Sequence, residues 1–274
     1  MSDSILGAAR ARAGAIAVVL SALHVACTTQ NTVVAVAGAP DRLSAADEAD
    51  AKKRSRARLE LASAYFGRGE TKTALDQVRI SLAADPSYGD AYNLQGLIYA
   101  SMGEQSLAES SFRQALQLNA RDADSMHNYG WYLCQLKRYP EANAMFAQAL
   151  SVSQYAGVTR TLLAQGVCQA YAGQLAESEA TLSRAYQLDP SNPFTATNLS
   201  EVLYRRGEYE RARFYIRRVN AQPDIVNAQT LWLAVRIEDK LGNRQGVSEF
   251  GSQLRNRFPD SREASLLARG AFDE

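Results

Sequence analysis

The sequence predicts an all-α superhelix of stacked helix–turn–helix units, on three observations. Small and aromatic residues return at a 34-residue period; glycine or proline interrupts each period at fixed places; and the phase holds through six consecutive units. Counting from Gly89 as position 1, Gly96 falls at position 8, Tyr99 at 11, Gly103 at 15, Ala108 at 20, Phe112 at 24 and Ala115 at 27. These are the marks of the tetratricopeptide repeat, a two-helix unit that buries its apolar face only against its neighbours.

The same ruler places Ala62, Tyr65, Gly69, Ala74 and Pro86 in unit 55–88, and the unit 89–122 is the one counted above. Gly130, Ala142, Phe146 and Ala149 mark 123–158, two residues longer than the rest. Gly166, Gly173, Leu182, Ala185 and Pro190 mark 159–192, and Gly207, Ala212 and Ile216 mark 193–226. The unit 227–260 is the weakest, keeping Ala234, Ile237 and Phe250, and 261–274 is predicted to add a capping helix. Small residues at positions 8, 20 and 27 let the two helices of a unit approach closely. Glycine at position 15 accepts the left-handed conformation that ends the first helix. The third unit has Lys137 there, but places Pro140 in the first turn of the next helix, where a missing N–H is harmless. Asp85–Pro86 and Asp189–Pro190 end second helices, because proline cannot continue them and restricts the residue before it.

Ahead of the repeats the chain reads differently. Arg10 and Arg12 precede "AIAVVLSALHVA", a short apolar run, and together they make a signal peptide over residues 1–26 rather than a membrane span. Val25, Ala26 and Cys27 resemble a bacterial lipoprotein cleavage box, with His24 standing where leucine is usual. Cys27 is therefore expected to become a lipidated N-terminus. Ordinary cleavage after Ala26 or near residues 35–39, or retention as a short anchor, is the alternative. Two or more acyl chains anchor a protein firmly, at ~0.8 kcal/mol per buried CH₂. Thr28, rather than Asp, follows the cysteine, which in lipoproteins of this type resembles sorting to the outer membrane. Residues 27–54 read as a flexible tether, with an r.m.s. span of roughly 25–30 Å.

Composition narrows the function. The chain has 274 residues, 46% hydrophobic and 22% charged, with 30 basic residues against 29 acidic. So even a balance carries no footprint of nucleic-acid binding. Reactive groups are scarce: His127 is the one histidine beyond the signal, and one histidine with two distant cysteines does not have metal-ligand spacing. No phosphate-binding glycine loop followed by lysine is present. Neither enzyme nor cofactor is expected.

Cys134 and Cys168 are 34 residues apart, one period, and fall at positions 12 and 10 of consecutive first helices. Side-by-side packing brings such positions within reach of a disulfide, which persists in an oxidising compartment. Two buried, unpaired thiols are the alternative. In tetratricopeptide proteins positions 2, 5, 9, 12 and 13 of the first helix commonly face a ligand. Here they supply Asn93, Leu97, His127, Trp131, Gln135, Leu163 and Tyr171 as a candidate protein-binding groove. Trp131 is either an anchor for a peptide or amphipathic helix, or a filler of the superhelix interior.

Longer strings add a resemblance. "NYGWYLCQLKRYPEA" (128–142), "GVCQAYAGQ" (166–174), "LDPSNP" (188–193), "RRGEYERARFYIRRVN" (205–220) and "RNRFPDSREA" (255–264) resemble the type IV pilus biogenesis/stability lipoprotein family, PilF/PilW. The similarity runs from about residue 55 to 274. It implies a pilotin: a non-catalytic lipoprotein that binds secretin subunits and promotes their localisation and multimerisation in the outer membrane. A Cys134–Cys168 bond fits that resemblance. The clearest departure from the family's pattern is His24 in the lipobox. The rival reading is a general periplasmic adaptor of the same fold, scaffolding other envelope-assembly proteins.

Overall fold

The computed structural model describes residues 44–272. The signal peptide, Cys27 and the tether up to residue 43 lie outside the described residues. Thirteen α-helices follow one another, twelve of them in antiparallel pairs: α1 (Ala45–Gly67) with α2 (Thr71–Ala84), α3 (Gly89–Ser101) with α4 (Gln105–Leu118), and α5 (Ala123–Gln135) with α6 (Tyr139–Ser151). Next come α7 (Val158–Tyr171) with α8 (Leu175–Leu188), α9 (Pro193–Arg205) with α10 (Tyr209–Asn220), and α11 (Ala228–Lys240) with α12 (Arg244–Arg257). A short α13 (Arg262–Arg269) packs on α11 and α12. Its start is capped by Ser261, whose Oγ accepts from the Ala264 N–H at 3.1 Å, and its end by Gly270 in the left-handed region.

Curvature follows from which helices touch. The backbone of each odd-numbered helix comes close to that of the next odd-numbered helix. The backbones of the even-numbered helices α2 to α12 stay apart and meet only through long side chains, as Arg211 and Glu179 do at 2.7 Å between α8 and α10. The odd helices therefore line an inner, concave side and the even ones splay along an outer, convex side.

Close approach within a pair is set by a large side chain of the second helix seated on a glycine of the first. Phe112, Phe146 and Leu182 are fully buried. They lie against Gly96, Gly130 and Gly166, where an added Cβ would come within 2.8, 3.0 and 2.6 Å of them respectively. In the fifth pair Ser200 takes the small position and donates its hydroxyl to the Ala212 carbonyl at 2.9 Å.

The turns within pairs share one geometry. Gly69, Gly103, Gly173, Gly207 and Gly242 have φ between 68° and 78°, and Lys137 holds the same place at φ 60°. A lysine there carries the steric cost of the left-handed region, ~1–2 kcal/mol. Pro140 lies in the first turn of α6, where proline is harmless.

Three departures from the strict period have local causes. Helix α1 begins at Ala45, so it takes in residues 45–54, which the sequence reading assigned to the tether. A capping box between Ser44 and Asp47 starts it, and the alanine-rich run behind favours helix without burying any side chain before Ser55. The two extra residues of the third unit fall in the turn 152–157, where Tyr155 folds back and bonds Thr161 at 3.0 Å. One further residue enters between α10 and α11, so the sixth pair starts at Ala228, one residue later than the 34-residue period places it.

Cys134 and Cys168 form a disulfide with a Cα–Cα distance of 5.8 Å, joining α5 to α7 across the longer unit. A closed loop of this length stabilises by roughly 3–4 kcal/mol in the chain-entropy model. Farther along, Glu238 is 1% exposed yet fully partnered. It accepts from Arg217 Nε at 2.8 Å and from Asn243 Nδ2 at 2.7 Å, tying α10, α11 and the start of α12 together.

The seating of large residues on glycine has a direct test. Gly166→Ala gains helix propensity but forces Leu182 to move, and is expected to cost about 1–3 kcal/mol in urea unfolding. Gly67→Ala, with nothing within 4 Å of an added Cβ, is expected to leave stability unchanged or raised by up to ~1 kcal/mol. Equal effects at the two sites would contradict the packing account.

Candidate protein-binding groove

The inner side is built from equivalent faces of α3, α5, α7, α9 and α11, bridged by polar pairs one repeat apart. Asn128 Nδ2 donates to Asn93 Oδ1 at 3.2 Å between α3 and α5. Between α5 and α7, Arg160 and Asp124 form an exposed ion pair at 2.5 Å, and the Tyr155 hydroxyl receives from Arg160 at 3.3 Å. Arg236 Nη2 donates to Glu201 Oε2 at 3.0 Å between α9 and α11. Each such pair presents donors and acceptors together, which suits the alternating N–H and C=O of a bound main chain.

The predicted groove residues divide. Asn93, Leu97, Trp131 and Leu163 are half-buried, and Gln135 and Tyr171 are exposed, Tyr171 by 64%. Leu97 and Trp131 pack on the core around Phe112, Tyr129 and Phe146, so Trp131 is partly interior filler and partly open. His127 is placed differently. It is only 8% exposed, its Nδ1 lies 2.9 Å from Thr161 Oγ1, and its ring faces Phe146 at 6.0 Å. Position 5 of α5 thus turns into the contact between α5 and α7 and offers no ring to a ligand.

Burial lowers the His127 pKa to about 4, Arg160 adds to the effect and Asp124 opposes it. At the same rim burial, then the neighbouring Asp122, holds the Asp90 carboxyl above its usual range.

Sequence reasoning missed the C-terminal end of the groove. A cavity of about 410 Å³ opens between α9, α11 and α13, lined among others by Thr197, Glu201, Gln229, Trp232, Arg236 and Leu266. Burial raises the Glu201 pKa although Arg236 pulls it down. Arg236 also lies over the Tyr204 ring at 4.7 Å, and its Nε has no hydrogen-bond partner among the described residues. Glu201 stands at position 9 of its unit, and Arg236 stands at position 9 of the next once the inserted residue before Ala228 is counted. That insertion is what hid the pair. Among the described residues no cluster of His, Cys, Asp or Glu has the geometry to hold a metal, and no helix is long and apolar enough to cross a membrane.

Paired helices with glycine turns, stacked so that one face lines a groove, define a tetratricopeptide-repeat protein. Residues 59–125 and 123–154 match tetratricopeptide repeat families. Among solved structures, the crystal structure of PilW, a widely conserved type IV pilus biogenesis factor, is 30% identical with a TM-score of 0.73, covering 78% of this chain and 98% of that one. The structure of PilF from Pseudomonas aeruginosa is 27% identical with a TM-score of 0.72, covering 81% of this chain and 99% of that one. By sequence, the type IV pilus assembly protein PilF of Pseudomonas aeruginosa is 29% identical over 205 residues, 75% of this chain and 81% of that protein. The chain belongs to the PilF/PilW family of type IV pilus assembly proteins, a family of non-catalytic repeat scaffolds.

The buried histidine makes stability depend on pH. The unfolded chain binds a proton near pH 6.5 and the folded chain near 4, so the contribution is present above pH 6.5 and is lost as pH falls towards 4. Between pH 7 and 4.5 this is about 2–3 kcal/mol. His127→Gln is expected to remove that part of the acid sensitivity in urea titrations at the two pH values. An unchanged loss on acidification would contradict a neutral, buried His127.

Proposed function

We propose that this protein is a pilotin: a non-catalytic lipoprotein, anchored by an acylated Cys27, whose groove binds secretin subunits and promotes their localisation and multimerisation in the outer membrane. The observation that carries the proposal is the match to PilW and PilF over nearly their whole lengths. The lipobox-like Val25–Ala26–Cys27 supports the anchor.

Mechanistically, location and recognition are separate. The lipid supplies location. Recognition rests on the half-buried Trp131 and Leu97, which offer an apolar seat, with Asn93, Asn128 and Gln135 beside it for main-chain or side-chain amides. Subunits held in the groove share the anchor's destination and reach a high local concentration there, without covalent chemistry.

The test measures detergent- and heat-resistant secretin multimers in outer membranes of a strain lacking this protein. Deletion is expected to abolish them and the wild-type chain to restore them. Complementation with Cys27→Ala should leave the secretin mislocalised, and Trp131→Ala should reduce multimers at least fivefold while the protein stays at wild-type abundance. Normal multimers in the deletion strain would overturn the proposal and leave a periplasmic adaptor with a different client.

A further inference from the structure

We propose that the open flank of the first helix pair is a self-association surface, on which α1 of a second copy of this chain lies antiparallel to α1. This goes beyond the groove reading and stands without it.

From α3 to α11 every odd-numbered helix packs on the even-numbered helix before it, and α1 has none before it. Its flank is nevertheless built to be covered. Position 3 is fully buried in the next four units, at Ala91, Ser125, Thr161 and Thr195, whereas Ala57 at the same position is exposed. Leu61 at 37% and Ile80 at 44% lie beside it, and with Arg54, Arg58 and Ala84 they line a shallow groove of about 470 Å³. The place of Ile80 is taken in the next four second helices by Gln114, Gln148, Arg184 and Arg218, so the first unit is the apolar one there. A terminal repeat ordinarily turns a polar outer face to water, and this one keeps an apolar flank open. At the opposite end α13 covers α11 and α12. A head-to-tail stack therefore finds no second open flank among the described residues, which leaves a pair closed by a two-fold axis.

Charge names the occupant. Residues 45–50 of α1 carry Asp47, Glu48 and Asp50 and no base, and residues 51–58 carry Lys52, Lys53, Arg54, Arg56 and Arg58 and no acid. All eight are exposed, and none is in an ion pair among the described residues. Asp47 bonds Ser44 in the capping box, and Arg58 donates to Gln77 Oε1 at 2.9 Å. By contrast Arg68 and Arg79 of the same unit are paired, with Glu70 and Asp76. At position 4, where later units bury Met126, Leu162 and Ala196, the first unit has Arg58. A helix that covers this flank has to bring carboxylates with small side chains between them. Residues 45–50, "AADEAD", have that composition. Laid antiparallel, the acidic turns of one copy cover the basic flank 54–61 of the other, and the two-fold axis repeats the contact with the copies exchanged. An anionic lipid layer would attract the bases but repel the three carboxylates on the same helix. Two copies joined in this way bring two grooves together, which raises the local concentration of whatever the grooves hold.

The full chain carrying Cys27→Ser, which removes the acylation site, is sedimented at about 1–100 µM. A concentration-dependent dimer is expected, weakening as salt rises to about 0.5 M. Arg54→Glu with Arg58→Glu should raise its dissociation constant about tenfold. Glu48→Lys with Asp50→Lys should do the same, and it leaves the Ser44–Asp47 cap in place. Mixed in equal amounts, with one of them fluorescently labelled, the two variants should pair with each other within about threefold of the parent's affinity, because the exchanged charges then meet their opposites. That recovery excludes misfolding as the cause of the separate losses. Leu61→Ser with Ile80→Ser, both exposed, should weaken the dimer about fivefold with unchanged circular dichroism. A monomer at every concentration, a dimer that neither charge variant weakens, or no recovery in the mixture would overturn the proposal. If the chain were monomeric and the charge variants instead lost secretin capture, the flank would belong to a helix of that partner and the second-copy assignment would fail.

Discussion

Everything in this solenoid depends on how closely the two helices of a unit approach. Phe112, Phe146 and Leu182 sit on Gly96, Gly130 and Gly166 so tightly that a single added carbon has no room. Burial of such a side chain is worth roughly 1.5–3 kcal/mol, but its structural consequence is larger. It fixes the separation and crossing of each pair, and the pair in turn presents a flat flank to its neighbour. A repeat array has no central core, so its stability is a sum of these unit and interface terms. The disulfide and the Glu238–Arg217–Asn243 cluster reinforce two of those interfaces, one at the longer third unit and one at the sixth pair.

Regular stacking turns equivalent positions of successive inner helices into neighbours. That is why Asn93 meets Asn128, Glu201 meets Arg236 and His127 meets Thr161, each pair about one repeat apart. The inner face therefore carries a ladder of polar bridges interleaved with half-buried apolar residues. Its middle, around Leu97 and Trp131, is the more apolar part; its C-terminal end, beneath α13, carries a charge pair. A groove of graded chemistry distinguishes the two directions in which an extended segment could lie along it.

Much of this fold is legible in the sequence because backbone constraints leave residue-level marks. A glycine at position 15 is demanded by a left-handed turn, and a glycine at position 8 by a buried ring, so counting in steps of 34 finds both. The cysteine pair is legible for the same reason, since one period apart means side by side. Insertions are harder. The two residues added in 152–157 are visible because strong marks lie on either side, whereas the one added before Ala228 is lost in a unit with few marks. With it went the register of α11, and with that the Glu201–Arg236 pair. Helix α1 also outruns the reading, because a capping box and alanine-rich propensity extend a helix without any core periodicity. His127 shows a further limit: position 5 usually faces the groove, but Thr161 across the interface offers it a hydrogen bond and holds the ring inside.

Site-specific crosslinking in living cells tests the central claim most directly. A photoreactive side chain placed at Trp131, on the inner face, is compared with one at Ala147, exposed on the outer helix α6. The account predicts that position 131 captures secretin subunits and position 147 does not. Capture of secretin from 147 but not from 131, or of no secretin from either while both chains accumulate normally, would contradict it.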